Sequence, residues 1–288
     1  MTDLRKRLLE DLQLKGYSVR TQDMYVRAVS QLAKYYKKSP DLITEEELRD
    51  YFLYNKNVRK WSRTASTISL CGIKFFFEQT LQRQWTTLRF VRPPKEKKLP
   101  VVLTIDEVRR ILKNIYMDRH RICLLTIYSC GLRLLEGTHL KISDVDSGRM
   151  LLHIKNAKGN KDRLVPLPHR TLELLRAAWM RHRNMTWVFP APGRSGIKSS
   201  VATSPLPHSS VQIAFREALQ KSKIYKPASV HTLRHSYATH LLEKGVDLRL
   251  IQEYLGHTSP VTTMIYTQLT QPVQRPALEI INQLMADL

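Results

Sequence analysis

The sequence predicts a mainly α protein of two domains, with a minor α+β element in the second, and three observations lead there. Apolar residues recur at three- and four-residue steps through most of residues 1–91. A proline- and lysine-rich break follows at 92–100. Beyond it, two short β-rich runs flank a polar, basic tip at 156–161, inside a region that is otherwise helical in pattern. The chain therefore divides into a helical domain at 1–91, a linker at 92–100 and a second domain at 101–288.

In the first domain Leu4, Leu8, Leu9 and Leu12 share one helical face. Ser18 precedes a second periodic run through Tyr25, Val29, Leu32 and Tyr36. Thr44 with Glu47 three residues on is a capping box that opens a third helix. A fourth runs from Thr67 to Leu81, rich in apolar residues from Ile68 to Phe77. The segment from Arg92 to Pro100 holds three prolines and four basic residues in nine positions, and cannot continue a helix.

After the linker, Thr104 and Glu107 form another capping box, for a helix ending near Ile115. An apolar helix follows from Ile122 to Ser129 and stops near Gly131. Met150 to Lys155 and Arg163 to Leu167 are the arms of the hairpin, and Leu172 to Met180 is helical. From Pro190 to Pro207 the Gly, Ser and Pro content implies a loop. Near the end Gly245 is a helix C′ residue, Asp247 caps the next helix with Val246 and Ile251 as its hydrophobic staple, and that helix stops at Gly256.

Composition narrows the function. Hydrophobic residues make up 42% of the 288, enough for a packed core. The longest apolar runs, such as Ile122 to Tyr128, are far short of the ~20 residues of a membrane span. The N-terminus is charged throughout and reads as a first helix, not as a signal peptide. Cys71, Cys123 and Cys130 share no metal-type spacing and fit structural thiols in a reducing compartment. Lys and Arg outnumber Asp and Glu by 47 to 25, a net charge of +22. The excess is spread, with 21 basic against 11 acidic residues in 1–100 and 26 against 14 in 101–288. A basic tail would concentrate it; here both domains are expected to meet a polyanion, with nucleic acid favoured over membrane.

The C-terminal quarter carries the chemistry. His231 and Arg234, three apart, share a helical face, while Leu233, Tyr237 and Leu241 form an apolar stripe beneath. A guanidinium presents a planar fork to phosphate oxygens. Taken alone, His-x-x-Arg also describes an ordinary solvated face, and Tyr266 an ordinary packing residue. His231 and His235 at i and i+4 have zinc spacing, but Thr232 stands where the zinc-protease pattern needs Glu, so no metal is expected. Leu255-Gly256-His257 places an imidazole at a helix end, and Tyr266 follows nine residues later. Upstream, Arg133 and Glu136 follow Gly131, and Lys158 sits on the hairpin tip.

In this order and spacing the set resembles the tyrosine recombinase (phage integrase) family, over nearly the whole chain and most specifically over 228–270. The resemblance implies a SAM-like helical core-binding domain and a mixed α/β catalytic domain ending in an exchange helix. It also implies cleavage and rejoining of double-stranded DNA through a 3′-phosphotyrosine link, in integration, excision or dimer resolution. Matched residue by residue, Arg133, Lys158, His231, Arg234, His257 and Tyr266 take the six catalytic positions, with Tyr266 the nucleophile. Arg133 and Arg234 would neutralise the phosphate, His257 would donate a hydrogen bond, His231 would serve as base and Lys158 as general acid, with Lys155 and Lys161 as rivals for that last role. Glu136 fits the pattern, but Leu135 and Gly137 replace the Ser and Leu that often flank it, which is expected to soften packing behind Arg133.

No cofactor is implied: the chain has no Walker-type loop and no clustered carboxylates for paired metals. The partners implied are paired recombination sites and a homo-tetramer on DNA, formed from free monomers or dimers, in the cytoplasm at the nucleoid. A catalytically silent DNA-binding protein and a monomeric type IB topoisomerase-like enzyme are the alternatives. The tail from Pro276 to Leu288 carries an apolar stripe at Leu278, Ile281, Met285 and Leu288, tethered by 271–276. It either packs on its own domain or docks on a neighbouring subunit.

Overall fold

The computed structural model of the chain describes residues 2–84, 100–157, 161–193, 198–256 and 263–264. The linker up to residue 99, the hairpin tip with Lys158, the stretch with His257, Tyr266 and the tail 271–288 lie outside the described residues. The chain separates into two compact units, Met1–Lys97 and Lys98–Leu288.

The first unit is helical: α1 (Asp3–Leu14), α2 (Val19–Tyr36), α3 (Glu45–Asn57) and α4 (Arg63–Phe75), the last running into a π-helical turn at Phe76–Thr80. Ser18 caps α2 by accepting from Thr21 N, and Thr44 and Glu47 make both halves of the capping box on α3. The fourth helix begins earlier than its apolar run suggests, because Ser62 accepts from Ala65 N and starts it at Arg63. A twelve-residue helix such as α1 is marginal by itself in water. What holds it is burial of Leu8 and Leu12 against Val29, Leu32, Leu48 and Phe76, at about 1.5–3 kcal/mol per leucine.

The second unit is built around α6 (Asp118–Ser129), which packs against α5 (Ile105–Lys113), α7 (Leu134–Thr138), α8 (His169–His182), α9 (His208–Lys221) and α10 (Val230–Glu243). A helix touched on so many sides is apolar nearly all round: Ile122, Cys123, Leu124 and Ile127 are all buried. Burial also pushes the Cys123 and Cys130 thiols up, Cys130 to about 12, so both are inert structural groups. The hairpin is present as β2 (Leu151–Ala157) and β3 (Lys161–Pro166), joined by a two-residue strand β1 (Val145–Asp146) in an antiparallel sheet of order β1-β2-β3. Leu152 pairs with Val165 and Ile154 with Arg163, so these four side chains face the core while Leu164 points out. The final described helix is α11 (Leu248–Leu255). Asp247 caps it through Arg249 N and Leu250 N, and Gly256 ends it in the left-handed region at φ 60°.

Three elements of this unit carry weak sequence signals. β1 is too short for a period, and α7 is a single turn begun by Arg133. α9 follows the proline-rich loop with no side-chain cap, although Val211, Phe215 and Ala218 keep a helical step and are buried.

Candidate active site

The Leu233–Tyr237–Leu241 stripe does not form one anchor. Leu233 belongs to the main core, whereas Tyr237 and Leu241 pack on a separate cluster of Ala238, Ile251 and Leu255 between α10 and α11. Arg234 is not perched above them but is itself buried, at 1% exposure, because the carbonyls that take its guanidinium lie inside. Its Nη1 donates to Gly131 O at 2.8 Å and its Nη2 donates to Leu255 O.

Arg133 stands at the start of α7. Its backbone N–H donates to Glu136 Oε2 at 2.7 Å, its Nη1 to Glu136 Oε1 at 2.7 Å and its Nη2 to Gly256 O at 3.2 Å. A third arginine completes the cluster. Arg163 of β3 grips the same carboxylate with both terminal nitrogens, Nη1 to Oε1 at 2.9 Å and Nη2 to Oε2 at 2.7 Å. Its Nε donates to Tyr254 O at 2.8 Å. Arg234 Nη1 lies 3.8 Å from Glu136 Oε2. Burial by itself would push the Glu136 carboxyl up; the hydrogen bonds and charge of Arg163, and then Arg133, overcome it and bring it down to about 2.

Arg163 is the residue that motif reading does not reach. The signal is present, since Arg163 and Val165 alternate on the core face of the strand, and a core-facing arginine needs an anion. The expectation of soft packing behind Arg133 is corrected as well. Gly137 lies so close to α6 that a Cβ there would meet Ile127 Cγ1 at 2.4 Å, so a glycine is needed for the tight contact, and Leu135 points outward.

His231 and His235 stand one turn apart on α10 with their rings edge to face, centroids 4.5 Å apart. Burial, then the charges of Arg234 and Arg133, hold the His231 imidazole below its ordinary range, against a smaller upward pull from Glu136. Burial, His231 and Arg234 bring His235 down to about 4. Both rings are neutral at pH 7, and a neutral imidazole is able to accept a proton. Among the described residues no group of His, Cys, Asp and Glu has the makings of a metal site, and no helix is long and apolar enough to cross a membrane. Of the rivals to Lys158, Lys155 is paired with Asp144 at 3.2 Å.

Thus Arg133, His231 and Arg234 come together around Glu136 and Arg163, while Lys158, His257 and Tyr266 lie outside the described residues. Residues 101–272 match the model of the phage integrase family, and residues 4–87 match that of the phage integrase N-terminal SAM-like domain. The chain is 39% identical over 270 residues to the proposed integrase/recombinase y4qK of Sinorhizobium fredii, covering 93% of this chain and 85% of that protein. It is 33% identical over 290 residues to the tyrosine recombinase XerA of Pyrococcus furiosus, covering 98% and 96%. A lambda integrase tetramer bound to a Holliday junction shares the fold, with a TM-score of 0.73 at 19% identity over 91% of this chain and 76% of that one. The two family matches, which together span most of the chain, and these relatives make the chain a member of the phage integrase family, a site-specific tyrosine recombinase acting on DNA.

Proposed function

We propose that the chain cuts and rejoins paired DNA sites through a 3′-phosphotyrosine intermediate, with Tyr266 as nucleophile, Arg133 and Arg234 on the phosphate, His231 as base, His257 as hydrogen-bond donor and Lys158 as general acid. The observation that carries this reading is the net charge of the cluster. Three guanidiniums and one carboxylate leave 3 − 1 = +2 beside a neutral imidazole. A phosphodiester carries one negative charge and the phosphorane formed by attack carries two, so the site suits the transition state better than the ground state. The phenol of Tyr266, ordinarily near ~10, needs that field and a base to become a nucleophile at neutral pH. Cleavage breaks the P–O5′ bond as the Tyr266 oxygen bonds to phosphorus, and a proton passes to the leaving 5′ oxygen. Rejoining reverses the step with another strand's 5′ hydroxyl, so no energy source is consumed.

The partner reading is a homo-tetramer on two sites, supported by the tetrameric state of the lambda integrase relative. The tail 277–288 serves as an exchange helix between subunits. Supercoiled DNA carrying two copies of a candidate recombination site tests the whole reading. Recombined products support it. Relaxed circles alone mean a topoisomerase-like activity, and unchanged DNA with tight binding means an accessory protein. Tyr266→Phe is expected to bind DNA normally and form no covalent adduct on a suicide substrate; an adduct formed by that variant reassigns the nucleophile.

A further inference from the structure

Three arginines from three different elements end on three successive carbonyls at the C-terminus of α11. Arg163 Nε takes Tyr254 O at 2.8 Å, Arg234 Nη2 takes Leu255 O, and Arg133 Nη2 takes Gly256 O at 3.2 Å. These carbonyls are the unsatisfied, negative end of the helix, so each guanidinium is oriented by a fixed dipole as well as by Glu136. Arg163 meets Glu136 through both terminal nitrogens. Each of its three nitrogens has a protein acceptor, its side chain is 5% exposed, and the aliphatic stem lies against Gly256, where a Cβ would meet its Cδ at 2.9 Å. Three of its five N–H donors are thereby spent on the protein, and the buried side chain turns the guanidinium toward Glu136 and α11.

We infer that Arg163 is a positioning residue for strand cleavage: it occupies Glu136 and the end of α11 so that Arg133 and Arg234 keep their charge and direction for the DNA phosphate. The inference rests on the recombinase reading above. Without Arg163, Glu136 has only Arg133 and Arg234 to neutralise it, and the charge facing the phosphate falls from 3 − 1 = +2 to 2 − 1 = +1. The carboxylate then draws both guanidiniums toward itself, away from the phosphate. Arg163 also joins β3 to the C-terminal end of α11, so one side chain sets the spacing of these two elements.

The test compares full-length wild type with R163M, R163K, E136Q and the double variant E136Q/R163M, which again leaves two arginines and a charge of +2. Single-turnover cleavage of a suicide substrate is expected to fall on the order of 10²-fold in R163M, as for other displacements of an aligned site, with DNA affinity little changed. R163K is expected to lie between, since it keeps the charge and loses the fork. The double variant is expected to cleave at least about tenfold faster than either single variant, because the charge balance is restored. A merely structural arginine would give additive losses, and additivity overturns the inference. If R163M does not fold, R163K and the double variant against E136Q carry the same comparison. A second readout needs no cleavage: the guanidinium NMR signals of Arg133 and Arg234 are expected to shift and broaden in R163K, and unchanged signals overturn the inference. Failure of the recombinase reading would look different, with no adduct from wild type while those signals still respond to R163K.

Discussion

Glu136 accepts from Arg133 twice, from the backbone nitrogen at 2.7 Å and from the guanidinium at 2.7 Å, so the carboxylate that starts α7 is also the one that orients the Arg133 side chain. Local helix capping and placement of the site are therefore one interaction, and the arginines Arg163 and Arg234 join it from β3 and α10.

Acid should weaken the catalytic unit through Glu136. Its pKa is lowered from the ordinary 4.5 to about 2, so its contribution is fully present above 4.5 and is lost as pH falls through about 2. The shift corresponds to about 3 kcal/mol. Urea unfolding of wild type and E136Q from pH 7 to pH 2 should show the difference between them shrinking across that window; a constant difference would remove Glu136 from the acid response.

Gly137→Ala should destabilise the second unit by about 1–3 kcal/mol, by overpacking. The new methyl would sit 2.4 Å from Ile127 Cγ1, and α7 would have to move with Arg133 and Glu136 at its start. Cleavage should drop along with the denaturation midpoint. A variant as stable as wild type would mean that α6 and α7 separate easily.

The pH–rate profile of cleavage should have its acid limb below 6.5, because burial and two arginines hold His231 under its ordinary value. Above that limb the ring is neutral and serves as base; below it the ring is protonated and the rate falls. His231→Gln should flatten the limb, and a profile left in place by that change would point to another base.

Lys158→Ala should slow cleavage, and a bridging 5′ sulfur in the substrate should restore much of the rate, since a thiolate leaves without being protonated. Equal defects on oxygen and sulfur substrates would assign Lys158 to DNA binding.

Affinity for DNA should depend steeply on salt. With a charge of +22 spread over both units, neutralising about six to ten phosphates per subunit should cost roughly 10³–10⁵-fold in affinity between ~50 and ~200 mM salt. A shallow slope would mean that most of the charge faces solvent.

The sequence by itself determined the helical first unit, the hairpin, the caps at Thr44, Thr104 and Asp247, the stop at Gly256 and the family. All of these are local: they depend on periods of two or three to four residues and on side chains bonding their own backbone within three positions. Only the tertiary structure decided that Arg234 is buried, that Gly137 is a close-packing residue and that Arg163 shares Glu136 with Arg133. Those facts depend on contacts between residues 10 to 103 positions apart, from Ile127 with Gly137 to Gly131 with Arg234. No local period encodes which carbonyl or carboxylate will be waiting across such a distance; the packing of α7, β3, α10 and α11 brings them together.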